Sequence, residues 1–364
     1  MDPTVSGRLK GAGRARGFSL IELMVALALG LIVTGSALTL VMTNRTTFAA
    51  TEDMGRIQEN VRLAFELMGR ELRSAGGNFC DSSKDVYSGL RNPGANWWSN
   101  WANITGAAPG TPIDTAPGLR GYAGNVAFPD SAFGTGVGQR VNGTDAIEVK
   151  SAVPLSADVA MVTTSLVTPF SAPIELSSLD GIAVGDLLMI CNFVNASIFR
   201  VTGLGVDTVE HAEGVDDEDN LSDDLPQWTT GTPPATYGFN AGSIVARVHA
   251  ARWYIGNNGL DTDNDGVADG RSLYRALLVN NAGTLGVEVD EIAQGVTDMQ
   301  VGYLIEGATS YVDAASVAAW SDGGNPVVAA RVTLTFQGDD RVGADGERIE
   351  RNLTQTVAIR GRAE

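Results

Sequence analysis

The densest set of candidate ligands in this chain is Asp261-Thr262-Asp263-Asn264-Asp265-Gly266-Val267-Ala268-Asp269. Carboxylates at alternate positions 261, 263 and 265 can converge on one hard cation. Gly266 permits the sharp turn between them, Val267 offers its carbonyl, and Asp269 ligates directly or through water. These are the first nine positions of a calcium loop. The match stops at Ser272, where an EF-hand carries a bidentate Glu, and the flanks read as strand and turn instead of two helices. A structural Ca2+ of modest affinity is the expectation; the competing reading is a solvated Asp/Asn/Gly turn.

Little else in the sequence is equipped for chemistry. The only imidazoles are His211 and His249, and the only thiols are Cys80 and Cys191. That excludes a cysteine- or histidine-rich metal framework. Neither His has a nucleophile at motif spacing. The chain lacks Gly-x-Ser-x-Gly, a Walker loop, His-Glu-x-x-His and Cys-x-x-Cys, so no catalytic residue is expected and the chain is read as a non-enzyme. With 25 Lys+Arg against 43 Asp+Glu, the net charge of −18 argues against direct nucleic-acid binding, which needs clustered cations.

One further carboxylate stands out by its surroundings. From Phe18 to Met42 the only ionisable side chain is Glu22, and 25 residues of helix span about 37 Å, enough to cross a bilayer with tilt. Residues 1–17 carry Arg8, Lys10, Arg14 and Arg16 against Asp2, so the N-terminus is expected to stay cytoplasmic and the rest to face outward. A secretory signal would place its small residue after the apolar run, whereas Gly17 precedes it. A plain signal anchor leaves Glu22 unexplained, because a carboxylate in lipid is costly and usually functional.

The string Arg16-Gly17-Phe18-Ser19-Leu20-Ile21-Glu22-Leu23-Met24-Val25 resembles the processing site of type IV prepilins and type II secretion pseudopilins. The resemblance implies that prepilin peptidase cuts between Gly17 and Phe18 and methylates the new Phe18 amine. Glu22 then remains, and its partner in lipid is the Phe18 amine of a neighbouring subunit. The 17-residue leader is longer than many of this class.

The elements that position these residues follow in order. Residues 18–42 form the membrane and assembly helix. Residues 43–76 continue it as an amphipathic second half. There Ile57, Val61, Ala64, Phe65, Met68 and Leu72 make one face, Glu52–Arg56 and Glu66–Arg70 stand at i,i+4, and Gly76-Gly77 stops the helix. Residues 77–364 read as a β-rich head of short alternating runs. The expected strands are 145–150, 160–167, 186–193, 197–202, 243–255, 272–279, 300–305, 327–336 and 353–360, the last two forming a hairpin around Gly338–Gly346. The fold class is therefore α+β: a long N-terminal helix packed on an antiparallel head with inserts.

Within that class the chain is similar to the PilW family of minor pilins. The blocks are Glu71-Leu72-Arg73-Ser74-Ala75-Gly76, Gly185-Asp186-Leu187-Leu188-Met189-Ile190-Cys191, Trp253-Tyr254-Ile255, Ser272-Leu273-Tyr274-Arg275, and 292–301. Each is weak alone; their order carries the resemblance. It implies a minor pilin stored in the inner membrane with a periplasmic head, then carried into the pilus fibre at the cell surface. The implied partners are other minor pilins, the major pilin, the inner-membrane assembly platform and a pilus-tip adhesin. The implied roles are priming of assembly, and through the fibre, motility, adhesion or DNA uptake. A minor pseudopilin of a type II secretion system is the alternative, and a calcium-dependent tethered binding module the second.

Cys80 and Cys191 both fall outside the cytoplasm on this reading, so one disulfide is expected, against two unpaired buried thiols. The acidic run 207–224, with no Lys or Arg, is expected to be a mobile solvated loop. Trp97, Trp98 and Trp101 sit in a Pro/Gly/Asn-rich insert and are expected to pack locally; a sticky patch for a subunit or glycan is the alternative.

Overall fold

The computed structural model describes residues 17–77, 80, 86–101, 112–113, 118–155, 161–168, 170–194, 196–225, 229–230, 235–236, 238–263, 265–318, 320, 326–343 and 346–360. Apart from Gly17, the expected leader lies outside the described residues.

A single α-helix, α1 (Leu20–Ser74), runs through both expected halves without a break. Ser19 caps it: its hydroxyl accepts from the Glu22 amide at 3.2 Å, and Glu22 lies in the first turn, where a negative charge suits the helix dipole. The chain has no proline between Pro3 and Pro93, which leaves nothing to kink it. Hydroxyls in the apolar part donate back to their own helix, as with Thr34 to Gly30 O at 2.7 Å and Thr39 to Gly35 O at 2.9 Å. Their polarity is thereby hidden from lipid. The helix ends at Ala75, and Gly76 takes a positive φ of 70° that a side chain resists.

The head is built on eleven principal strands: β1 (Val86–Ser88), β2 (Leu119–Tyr122), β3 (Ala146–Val153), β4 (Leu187–Cys191), β5 (Ala196–Arg200), β6 (Ile244–Asn257), β7 (Arg271–Asn281), β8 (Thr284–Gln294), β9 (Val296–Ile305), β10 (Val327–Gln337) and β11 (Glu350–Ala358). The larger sheet runs β8-β7-β6-β4-β5-β1, with β3 and β2 attached along the other side of β6. Among the described strands of this sheet only the β1–β5 pairing is parallel. Strands β9, β10 and β11 form a second, antiparallel sheet. The α+β, pilin-like class expected from sequence is the class observed.

The helix packs where the two sheets meet. Ile57, Ala64, Phe65, Met68 and Leu72 are buried against Trp253, Ile255 and Leu273 of the first sheet and Met299, Leu334 and Phe336 of the second. Strand β10 shows why: Val332, Leu334 and Phe336 alternate inward while Thr333 and Thr335 face out. Strand β6 is buried on both faces, because α1 covers Trp253 and residues 122–128 cover Tyr254.

Several expectations are corrected. Strand β8 is not among the expected strands, since Gly286, Glu288, Asp290 and Glu291 give the run a low strand propensity although Leu285, Val287 and Val289 alternate. Expected strand 160–167 reduces to a pairing at Met161–Val162. Neither i,i+4 ion pair forms among the described residues; Arg56 turns instead to Asp53 and Asp339. The acidic run is a folded turn. Asp219 accepts from the Val215 and Asp216 amides at 3.0 Å and pairs with Arg200, while Arg91 meets Glu213. Two cations from elsewhere in the chain relieve the repulsion on which the open-loop expectation rested.

Candidate functional site

From Phe18 to Glu52 no side chain of the helix is buried. Up to Met42, Leu, Ile and Val project on every side of this segment, over about 37 Å at the usual rise. A helix apolar all round is stable only inside a larger assembly or a membrane. Within it Glu22 is the single charge up to Met42, one helical turn from the Phe18 amine that cleavage would create. Gly17 lies outside the helix and is exposed.

The helix meets the head through two buried carboxylates that sequence reasoning missed. Asp53 is fully buried, accepts from the amides of Asp339 and Asp340, and pairs with Arg56. Glu71 is 6% exposed and accepts from Trp253 Nε1 at 2.5 Å, with His249 Nε2 at 3.3 Å and Arg275 at 3.5 Å. One signal was available: Glu71 sits beside Leu72 and three residues after Met68, on the buried stripe, where an acid needs a partner.

A second buried network anchors the tryptophan insert. Glu148 receives Lys150 at 2.5 Å, Arg252 at 2.8 Å and the Tyr122 hydroxyl at 3.1 Å, and Arg252 also grips Asp130. Burial alone would raise Glu148, but Lys150 and Arg252 outweigh it and hold the carboxyl below its ordinary range. The Arg252 guanidinium stacks 4.3 Å from Trp97 and 4.4 Å from Phe128. Trp98 and Trp101 are buried. The three tryptophans thus pack locally, as expected, and form no open aromatic patch among the described residues.

Cys80 and Cys191 form the expected disulfide, Cα atoms 5.9 Å apart and 111 residues apart in sequence. It ties the chain just past the helix to the end of β4.

At the calcium-like loop, Asp261, Asp263 and Asp265 each bring one carboxylate oxygen within 4.8 Å of the others, all exposed. Gly266 has φ 90°, the turn its motif position demands, and its amide donates to Asp261 at 2.8 Å. The Val267 amide donates to Asp265. Asp269 stands apart from the three: it accepts from the Thr262 amide at 2.8 Å and hydroxyl at 2.7 Å, which together hold its carboxyl below the usual range. Arg348 of the β10–β11 hairpin donates to Thr262 O.

The two imidazoles serve packing. His211 is buried with Nε2 3.0 Å from Ala172 O, and His249 faces Glu71.

In comparison with known families, residues 13–38 match the prokaryotic N-terminal methylation motif. No curated protein and no solved structure matches the chain. The motif marks the chain as type IV pilin- or pseudopilin-like, a partner of prepilin peptidase and of pilus or pseudopilus machinery, and with the apolar helix it indicates membrane anchoring.

Proposed function

We propose that the chain is a minor pilin of the PilW kind that works by assembly and catalyses nothing. Prepilin peptidase cuts between Gly17 and Phe18 and methylates Phe18. Residues 18–42 then hold the protein in the inner membrane, with the head in the periplasm. From there it joins other minor pilins and the major pilin on the assembly platform, in a complex that primes the fibre and sits with an adhesin at its tip.

The observation that carries this reading is the bare helix from Leu20 to Met42, apolar on all sides and marked by one carboxylate, Glu22. Helix burial between subunits supplies the association free energy, at about 25 cal/mol per Å2 of apolar surface covered outside the bilayer. Pairing of Glu22 with the Phe18 amine of a neighbour fixes the depth at which helices align. The large head limits how such subunits stack, which suits a tip position.

Mass spectrometry of the membrane fraction is expected to find a chain beginning at N-methylated Phe18; an intact leader overturns the proposal. Glu22→Ala should be cleaved but poorly incorporated into fibres. Complementation of deletion strains separates the two systems. Restored piliation supports the minor pilin, whereas restored type II secretion assigns a minor pseudopilin.

A second reading concerns the loop at Asp261, Asp263 and Asp265, whose converging carboxylates support a structural Ca2+ held with the Val267 carbonyl. Asp269, bonded to Thr262, would serve through water or shape the loop. A calcium-dependent rise in melting temperature that Asp263→Ala abolishes is expected, and no rise in the parent chain removes the site.

A further inference from the structure

Among the strands that pair on one side only are β8, which pairs only with β7, and β11, which pairs only with β10. They lie on opposite flanks of α1. The Asn60 side chain donates to Gln294 O of β8 at 3.0 Å, and a side chain at Gly69 would meet Gln355 of β11 at 3.3 Å. Nine residues at about 100° each place positions 60 and 69 half a turn apart around the helix.

The two edges also run in opposite senses. Along β8, Asp290 bonds Arg275, which reaches Glu71, and Gln294 reaches Asn60, so β8 descends the helix. Along β11, Gln355 lies at Gly69 and the Arg360 amide donates to Arg73 O, so β11 ascends it.

Their charges differ as well. Strand β8 carries Glu288, Asp290 and Glu291 and no base, with Val287 and Val289 43% and 48% exposed beside them. Strand β11 carries exposed Arg351, and Arg348 and Arg360 flank it, against Glu347 and Glu350.

From this arrangement we infer that the β8 edge of one subunit pairs antiparallel with the β11 edge of a second copy beside it. The inference rests on the assembly reading, because only chains anchored in one membrane stand with their helices parallel. Parallel helices bring a descending edge on one flank against an ascending edge on the other, the sense an antiparallel ladder needs. An open edge is a ready template for a strand. Pairing of β8 with another β8 would set acid against acid, so the charges select β11. The contact is heterologous: its two edges differ, so it does not close a two-fold dimer.

The test uses the full chain in its own membrane, with Val289→Cys on β8 and Thr354→Cys on β11. Both positions are exposed, and the native cysteines are already bonded to each other. On mild oxidation, a cross-linked dimer is expected only when both new cysteines are present. Its loss with Glu288→Arg/Glu291→Arg, and return when Arg351→Glu/Arg360→Glu is added, supports the charge selection. A dimer from Val289→Cys alone, or none from the pair, overturns the inference. Blotting sheared fibres for the same variants separates the two proposals. Incorporation without the cross-link refutes the edge pairing and leaves the assembly reading intact, whereas absence of the parent chain from fibres refutes that reading.

Discussion

Replacing Glu71 tests whether the helix is locked to the head by one carboxylate. In the folded protein Glu71 accepts from Trp253 at 2.5 Å and faces His249 and Arg275. Glu71→Ala strands a buried indole N–H and removes a charge from two cationic or titratable neighbours. Breaking a buried pair from one side costs roughly 3–5 kcal/mol. Arg275 keeps Asp290 at 2.9 Å, so the lower end, about 3 kcal/mol, applies here. Glu71→Gln keeps an acceptor for Trp253 and loses only the charge assistance, about 1–1.5 kcal/mol. At roughly 2 °C per kcal/mol for a large domain, the melting temperature should fall by about 6 °C and 2–3 °C respectively. The assay is thermal unfolding of the full chain in detergent, with hydrogen exchange over residues 60–74 to locate the loosening. Equal losses for the two variants, or unchanged exchange in that segment, would refute the reasoning, since only the carboxylate acceptor distinguishes them.

Three further outcomes are expected. Reduction of Cys80–Cys191, or Cys191→Ser, opens a loop of 111 residues and should lower stability by up to about 4–5 kcal/mol, read from a denaturant midpoint with and without reductant. Ala282 holds a left-handed φ of 51° in the β7–β8 turn, so Ala282→Gly should stabilise by up to about 1 kcal/mol and raise the melting temperature. Burial pushes His211 below its ordinary pKa, so the unfolded chain binds more protons and stability must fall as pH drops from about 6.5 towards the folded value. In a pH series of melting temperatures, His211→Gln should flatten that part of the curve.

What was legible in the sequence was what depends on local pattern. The helix, the β10–β11 hairpin and the disulfide follow from periodicity, Gly-rich turns and compartment. The processing motif is a contiguous string, so no folding is needed to read it. The rest depended on long-range partners. Strand β8 gains its place from β7, a pairing that overrides a charged run. Glu148 and Lys150 are two residues apart and so share a face of β3, but nothing local says that Arg252 will meet them. The order in the acidic turn needs Arg91 and Arg200, both outside it. Asp269 fits the loop motif by position, yet Thr262 satisfies it with two short hydrogen bonds.

Three carboxylates of α1 separate what the head completes from what, on the assembly reading, a neighbouring subunit would complete. Asp53 and Glu71 lie on the buried stripe, and each finds donors within the chain: backbone amides and Arg56 for one, Trp253 for the other. Glu22 lies on the same continuous helix and has no charged residue within reach along it, the next being Arg45, 23 residues and about 35 Å on. Sequence alone treats all three as acids in an amphipathic or apolar helix. The fold satisfies two and leaves the third in the segment where an unpaired charge costs most. Evolution of a plain anchor would have no reason to keep that cost. On the assembly reading we propose, a partner supplied from outside the chain at the depth of Phe18 removes it, which would tie membrane insertion to subunit association.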